Sequence, residues 1–96
     1  MPKGSLIAQL KVTDTDQYAV YGAAATKLLE HYGGRALVRP DTALVVEGNP
    51  RPRTIIFEFD SIARAKAFWG SEEYVQAKAL RANAAEADFI LIECVE

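Results

Sequence analysis

The sequence predicts an α+β fold in which two β-α-β halves interlock to form one antiparallel sheet, and three observations support this prediction. An alternating apolar strand near the start of the chain is followed by a long amphipathic helix. One or two further strands lead to another strand and then to two short helices, each preceded by a serine that can cap it. A strongly apolar strand follows. This order of elements is that of the split β-α-β, or ferredoxin-like, arrangement.

The first half of the pattern is a strand followed by a helix. Residues 5–12 alternate between two faces, one of which carries Leu6, Ala8, Leu10 and Val12. Asp14 is the predicted helix cap, with Gln17 three residues later. Side chains suited to burial then recur at helical spacing, at Tyr18, Tyr21, Ala25, Leu28, Leu29 and Tyr32. We expect the helix to end at Gly33-Gly34, because glycine adopts the left-handed conformation that closes helices.

The middle of the chain is less regular. Residues 35–39 are predicted to form the second strand, and Pro40-Asp41 a turn. Residues 43–47 are either a continuation of that strand after a bend or its hairpin partner, and the sequence leaves this choice open. The segment 48–52 contains two prolines, which remove backbone donors and interrupt regular structure.

The second half repeats the order of a strand followed by helices. Residues 54–59 are rich in β-branched and aromatic side chains, which favour a strand. Asp60-Ser61 is predicted to cap a short helix that ends at Gly70, and Ser71 a further helix that continues to about Ala85. Residues 88–95 are apolar on both faces. We therefore predict that this strand, like the first, is central in the sheet and covered on both sides.

The helices can cover only one face of such a sheet. The other face is expected to present Ile7, Ile56, Ile90, Ile92 and Cys94, or the complementary set if the face assignment is inverted. A chain of 96 residues cannot shield a second apolar face by itself. We therefore predict that the same face of a second copy covers it, giving a homodimer built as a dimeric α/β barrel.

Composition excludes several classes of function. The chain of 96 residues is expected to form one domain over residues 1–96, with net charge −2 and a pI near 5.4. This balance does not favour nucleic-acid binding. No apolar run approaches the roughly 20 residues that span a bilayer, and Met1-Pro2-Lys3-Gly4 lacks a hydrophobic signal core. We expect a cytoplasmic protein that does not bind membranes.

Metal and cofactor signatures are not found in the sequence. One cysteine, Cys94, and one histidine, His31, cannot assemble a typical zinc site, and Cys94 is predicted to be a buried, inert thiol. The sequence lacks a phosphate-binding Gly-Lys-Ser/Thr loop, a Gly-x-Gly-x-x-Gly turn, a Gly-x-Ser-x-Gly elbow and a His-Glu-x-x-His helix. We therefore expect neither a metal nor a cofactor.

A set of short motifs is spread over nearly the whole chain. It consists of Val12-Thr13-Asp14 with Tyr18 and Tyr21, Tyr32-Gly33-Gly34-Arg35, Glu47-Gly48, Arg51-Pro52-Arg53, Phe59-Asp60-Ser61, Trp69, Ser71-Glu72-Glu73-Tyr74, Arg81 and Ala85-Glu86-Ala87-Asp88. In these residues the chain resembles domain-of-unknown-function family 1330. The resemblance implies the dimeric α/β-barrel form of the ferredoxin-like fold. It implies no particular activity.

Aromatic residues are the first candidates for a ligand site. Tyr18, Tyr21 and Tyr32 share one stripe of the first helix, and Trp69 and Tyr74 flank the break between the later helices. Such stripes usually belong to the core. Aromatic rings with polar tips can also line a pocket and offer a hydroxyl or indole donor to a ligand.

His31 and the arginines are the charged candidates. His31 lies in the last turn of the first helix, and histidine is the residue type most often used for proton transfer, so it is either a solvated helix end or a general base. Guanidinium groups suit planar carboxylates, although ion pairing at the surface is the simpler role. We assign Tyr18, Tyr21 and His31 as candidate catalytic residues, and Arg35, Arg53, Trp69, Tyr74 and Arg81 as candidate ligand-binding residues.

Three functions fit these residues. The first is a homodimer that binds a small, partly apolar organic molecule without a cofactor, for which an aromatic body with a carboxylate or carbonyl is the best match. The second, by analogy with other dimeric α/β barrels, is a cofactor-independent oxygenase or isomerase acting on aromatic or polyketide-like compounds. The third is a structural or protein-interaction module without a ligand. The sequence leaves open whether the protein is an enzyme.

Overall fold

The computed structural model describes residues 2–95, and the predicted order of elements is confirmed. Over these residues the elements are β1 (Gly4–Val12), α1 (Thr15–His31), β2 (Arg35–Ala36), a 3₁₀ helix (Pro40–Thr42), β3 (Arg53–Phe59), α2 (Ile62–Trp69), α3 (Glu72–Ala79) and β4 (Ala85–Glu93). The four strands form one antiparallel sheet in the order β2-β3-β1-β4. The α+β, ferredoxin-like prediction therefore holds.

The position of β4 corrects one prediction. This strand lies at the edge of the sheet, and the two central strands are β1 and β3. Each β-α-β crossover skips one position in the sheet, and the first strand of the other half fills it, so that β1 and β3 become neighbours. The apolar residues on both faces of β4 do not indicate a central strand here, since Ile90 and Ile92 remain 54% and 51% exposed.

Residues 43–47 correct a second prediction, because they form neither a continuation of β2 nor a hairpin strand. Strand β2 is only two residues long, and the chain leaves it through the 3₁₀ helix that begins at Pro40. Val45 and Val46 favour strands by propensity, but they and Leu44 have no neighbouring strand to pair with and are exposed. Propensity alone therefore does not form a strand here.

The predicted helix caps are present. The side chain of Asp14 accepts a hydrogen bond from the Gln17 amide at 3.1 Å, and Ser61 and Ser71 cap α2 and α3 in the same way. Helix α1 closes at Gly33, whose φ is 79°. Helix α3 ends at Ala79, earlier than predicted, because residues 80–84 turn the chain into β4.

The helices cover one face of the sheet and form the core with it. The buried cluster consists of Leu6, Tyr21, Ala25, Leu29, Phe59, Ala65, Phe68, Tyr74 and Ala77. The opposite face carries a row of isoleucines, since Ile7 pairs in register with Ile56 on one side and Ile90 on the other. Within residues 2–95, no helix is long and apolar enough to span a membrane.

Candidate functional site

A cavity of about 240 Å³ lies between α1 and the sheet. Helix α1 contributes Tyr18, Tyr21, Gly22, Ala25, Thr26 and Leu29 to its lining. The strands contribute Leu6, Ala8, Ala36, Arg53, Ile55, Phe57 and Phe89, and the remaining lining residues are Val38, Pro40 and Phe68. The lining is almost entirely apolar with a few polar groups, which is the composition of small-molecule sites.

Small residues on α1 leave room for this cavity. Gly22 and Ala25 occupy positions on the helix face that turns towards the sheet. A Cβ atom built on Gly22 meets no atom within 4 Å, so the space beside it is open. Glycine inside a helix costs about 1 kcal/mol relative to alanine. Helix α1 therefore carries a residue that is unfavourable for the helix at a position where a larger one would fill the cavity.

A buried hydrogen bond joins two of the predicted site residues. The hydroxyl oxygens of Tyr21 and Tyr74 lie 2.8 Å apart, and their rings meet edge to face. Arg81 Nη2 lies 3.5 Å from the Tyr74 hydroxyl, at the outer limit for a hydrogen bond. Tyr21 lines the cavity, whereas Tyr74 and Arg81 lie behind it. This cluster fixes the tyrosine of α1 against α3 and the turn that follows it.

Arg81 is a buried cation that is held by aromatic rings. It is 9% exposed, and its guanidinium carbon lies 4.4 Å from the Phe89 ring centroid and 5.4 Å from that of Tyr21. Its Nε has no hydrogen-bond partner among the described residues, and within 2–95 no carboxylate forms an ion pair with it. Guanidinium groups stay charged in proteins. A positive charge therefore lies close behind the cavity without a negative charge to balance it.

Tyr18 and Arg53 contribute to the polar part of the lining and lie against each other. The Arg53 guanidinium carbon lies 5.9 Å from the centre of the Tyr18 ring. Arg53 Nε is 3.3 Å from Oδ1 of Asp41, but the geometry is not that of a hydrogen bond, and this Nε is buried without a partner. Asp41 belongs to the 3₁₀ helix next to the lining residue Pro40. The loop that carries Asp41 therefore lies beside the cavity.

Both cavity tyrosines favour their protonated form. Burial raises the pKa of the Tyr18 hydroxyl, and the positive charges of Arg53 and Arg81 oppose this effect only in part. Burial, followed by the charge and the hydrogen bond of Tyr74, raises the pKa of Tyr21 well above the ordinary tyrosine value. At neutral pH both hydroxyls keep their protons, so they are poorly suited to remove a proton from a ligand. Tyr18 can donate a hydrogen bond to a ligand, whereas the Tyr21 hydroxyl is already paired with that of Tyr74.

The structure divides the predicted site residues into two groups. Tyr18, Tyr21 and Arg53 line the cavity, and Tyr74 and Arg81 support it from behind. The Trp69 ring packs in a tilted arrangement against those of Tyr74 and the lining residue Phe89, with ring centroids 5.0 and 5.2 Å away.

The other predicted site residues lie outside the lining. His31 is exposed at the end of α1, with its ring against Tyr32. Arg35 is exposed and forms ion pairs with Glu58 and Asp60. The structure therefore does not bring either residue to the cavity.

Several lining residues are not among the site residues predicted from the sequence. Gly22, Thr26, Val38, Pro40 and Phe57 meet only when the chain is folded. Gly22 offered the one local signal, since a glycine inside an otherwise regular amphipathic helix often has a packing or functional reason. Among residues 2–95, no group of three or more His, Cys, Asp or Glu side chains is arranged to hold a metal ion.

Solved structures share this architecture. The chain is similar to the RPA0582 protein of unknown function from Rhodopseudomonas palustris, with a TM-score of 0.80 and 16% identity over 99% of this chain and 84% of that one. It is also similar to a dimeric ferredoxin-like protein of unknown function from Thermobifida fusca, with a TM-score of 0.63 and 16% identity over 96% and 91% of the two chains.

A third similar structure has a known activity. It is SnoaB, a cofactor-independent oxygenase from Streptomyces nogalater, with a TM-score of 0.66 and 5% identity over 100% of this chain and 96% of that one. Identities this low establish a shared fold alone. No curated protein matches the sequence significantly.

The family comparison covers almost the whole chain. The profile of the domain of unknown function DUF1330 matches residues 3–95. This range includes every strand and helix of the fold and every residue that lines the cavity. The chain belongs to the DUF1330 family.

Proposed function

We propose that this protein is a homodimer that binds a small, partly apolar organic molecule in the cavity between α1 and the sheet, without a cofactor. The observation that carries the proposal is the cavity itself, whose lining is apolar except for a few groups at Tyr18, Tyr21, Thr26 and Arg53. Apolar walls supply affinity, and a few polar groups fix the orientation of the ligand.

The volume of the cavity limits the size of the ligand. Its 240 Å³ compares with about 150 Å³ for an engineered apolar cavity that binds benzene. Space on this scale suits one substituted ring or two fused rings. A compound with four fused rings would require the loop around Val38 and Pro40 to move.

The face of the sheet opposite the helices, here called the open face, is the evidence for the dimer. Ile7, Ile56 and Ile90 form a continuous row across the three strands β3, β1 and β4, and Ile92 extends it. Exposed apolar rows of this kind mark contact surfaces. The similar protein from Thermobifida fusca is dimeric. A second copy that presents the same face would bury both rows under twofold symmetry.

Catalysis is the second candidate, in the form of a cofactor-independent oxygenase or isomerase. It is favoured by the fold that the chain shares with SnoaB and by the positive charges of Arg53 and Arg81 near the Tyr18 hydroxyl. A substrate that loses a proton becomes an anion, and a fixed donor with two cations beside it would stabilise that anion. In this version Tyr18 donates a hydrogen bond to the substrate, and Tyr21, whose hydroxyl is paired with that of Tyr74, holds α1 in position. The base that removes the proton would have to be a group of the substrate or a residue other than these two tyrosines.

Native mass spectrometry tests the binding proposal and the dimer together. The protein, gently purified from its own source or a close host, is expected to show a dimer that carries a small-molecule adduct. Gly22→Leu extends a side chain into the cavity, and Ala23→Leu adds the same side chain at the adjacent, exposed position. We expect Gly22→Leu to lose the adduct and Ala23→Leu to keep it.

Other outcomes of this experiment would contradict parts of the proposal. An adduct that survives in Gly22→Leu would place the ligand outside the cavity. A monomeric mass would contradict the dimer. A dimer that neither carries an adduct nor binds any small aromatic probe would favour a structural or protein-interaction role.

A further inference from the structure

We propose that the ligand of this cavity is a small monocarboxylic acid whose one- or two-ring body fills the apolar space and whose carboxylate binds Arg53 in place of Asp41. The inference rests on the proposed function and deepens it by naming the charge and the anchoring residue of the ligand.

Arg53 is the one charged side chain in the lining of the cavity formed by the described residues. A neutral apolar ligand would remove water from this guanidinium, which is costly because Asp41, the acid beside it, makes no hydrogen bond to its Nε. A carboxylate compensates that cost. The chemistry of the lining therefore favours an anion over a neutral molecule of the same shape.

The free donor on Arg53 suits a carboxylate. Its Nε is buried and makes no hydrogen bond within residues 2–95. Arginine binds carboxylates with two parallel N–H groups, and the edge that includes Nε is one of those it can use. The Tyr18 ring lies against the same guanidinium, and burial keeps its hydroxyl protonated as a further donor.

The acid that now neutralises Arg53 is replaceable. Asp41 Oδ1 lies 3.3 Å from Nε without hydrogen-bond geometry, and the Asp41 side chain is 82% exposed. An exposed ion pair of this kind contributes little to stability. A ligand carboxylate that enters with its apolar body in the cavity can therefore replace Asp41 on Arg53.

Arg81 adds a second positive charge with no acid beside it. Its guanidinium is buried against Phe89, a lining residue, and its Nε also lacks a partner among the described residues. Its charge and that of Arg53 both act on the Tyr18 hydroxyl. A single negative charge on the ligand near Tyr18 would be attracted by both arginines.

Paired acids and amides test the inference. We would measure the affinities of benzoate, cinnamate and 2-naphthoate, each against its primary amide, by calorimetry at pH 7. In the wild-type protein we expect at least one acid to bind about tenfold or more tightly than its amide, a ratio typical of a charge-assisted contact. Arg53→Gln should remove this preference and leave the affinity for the amide nearly unchanged.

Asp41→Asn gives a test in the opposite direction. It removes the competing carboxylate, so the affinity for the acid should rise several-fold while that for the amide stays constant. Two controls match the charge changes outside the lining: Arg51→Gln, which removes a cation paired with Asp88, and Glu47→Gln, which removes an exposed acid. Neither should alter the ratio of acid to amide affinity.

The outcomes separate this inference from the proposed function. Equal binding of acid and amide by the wild-type protein, or a preference that persists in Arg53→Gln, would overturn the carboxylate assignment and leave the cavity as a site for neutral ligands. An unchanged acid affinity in Asp41→Asn would overturn the replacement of Asp41. Failure of all six probes to bind the folded protein would overturn the proposed function itself.

Discussion

The Tyr21 hydroxyl lies 2.8 Å from the Tyr74 hydroxyl on α3. Tyr21 belongs to helix α1, which forms one wall of the cavity. Both side chains are buried, at 6% and 1% exposed. Two buried hydroxyls that satisfy each other hold α1 against α3, while the sheet side of α1 stays open for the cavity. The pair therefore sets the geometry of the site as well as contributing to stability.

Removing one hydroxyl of this pair should lower the free energy of unfolding by more than the loss of a single oxygen atom suggests. Tyr74→Phe leaves the Tyr21 hydroxyl buried without its partner, which should lower the free energy of unfolding by about 1–3 kcal/mol in urea denaturation. The double variant Tyr21→Phe/Tyr74→Phe should be more stable than the sum of the two single changes implies. Strict additivity of the two changes would contradict the direct interaction.

The raised pKa of Tyr21 predicts a loss of stability at alkaline pH. In the unfolded chain this hydroxyl loses its proton near the ordinary pKa of about 10, whereas the folded protein retains it. The unfolded state then binds fewer protons, so the free energy of unfolding falls as pH rises above about 10, by up to about 1.4 kcal/mol per pH unit for this group.

Below that pH the contribution of Tyr21 is fully present. Urea denaturation of the wild-type protein and Tyr21→Phe at several pH values between neutral and alkaline isolates this residue. We expect the slope above pH 10 to be smaller in Tyr21→Phe. Equal slopes in the two proteins would show that Tyr21 does not hold its proton more tightly in the folded state.

Gly22 is expected to lower the stability of the protein while it leaves space for the cavity. Gly22→Ala adds a methyl group where no atom lies within 4 Å, and it improves helix propensity, so the free energy of unfolding should rise by about 0.5–1 kcal/mol. Gly70→Ala is the control variant. Gly70 is the cap residue of α2 and not a helix-interior residue, so the gain in stability from helix propensity is not expected there. A marked loss of stability in Gly22→Ala would contradict the open space beside α1.

The isoleucine row on the open face is expected to form the dimer interface. Ile90→Glu places a charge in that row and should convert the protein to monomers, as measured by sedimentation. Val20→Glu is a matched control, because Val20 is 51% exposed on α1 and Ile90 is 54% exposed on β4. Dimers that persist in Ile90→Glu, or that dissociate equally in Val20→Glu, would contradict this interface.

Most of the fold could be predicted because its signals are local. The cap residues Asp14, Ser61 and Ser71 each act within their own first turn, and Gly33 closes α1 through its own φ. The position of β4 could not be predicted from its residues, because a strand with two apolar faces is compatible both with a central place and with an edge whose second face a partner covers. Segment 43–47 was mispredicted because pairing depends on a neighbouring strand.

The candidate site was predictable only in part. The helical stripe indicated Tyr18 and Tyr21, and composition drew attention to the arginines, but the sequence could not separate Arg53, which lines the cavity, from Arg35, which is paired at the surface. That difference depends on which face of the sheet each side chain occupies, Arg35 on β2 and Arg53 on β3, and on which acids lie nearby. Val38 and Pro40 enter the lining only through the path of an irregular loop.

The central claim is that the cavity between α1 and the sheet is a ligand site, and an NMR titration followed amide by amide tests it most directly. We would titrate the protein with 2-naphthoate and with 2-naphthamide in turn. The largest, saturating shift changes are expected at Gly22, Ala25 and Ile55, with smaller changes on the open face around Ile7. Changes confined to the open face, or no saturable change with either probe, would contradict the claim.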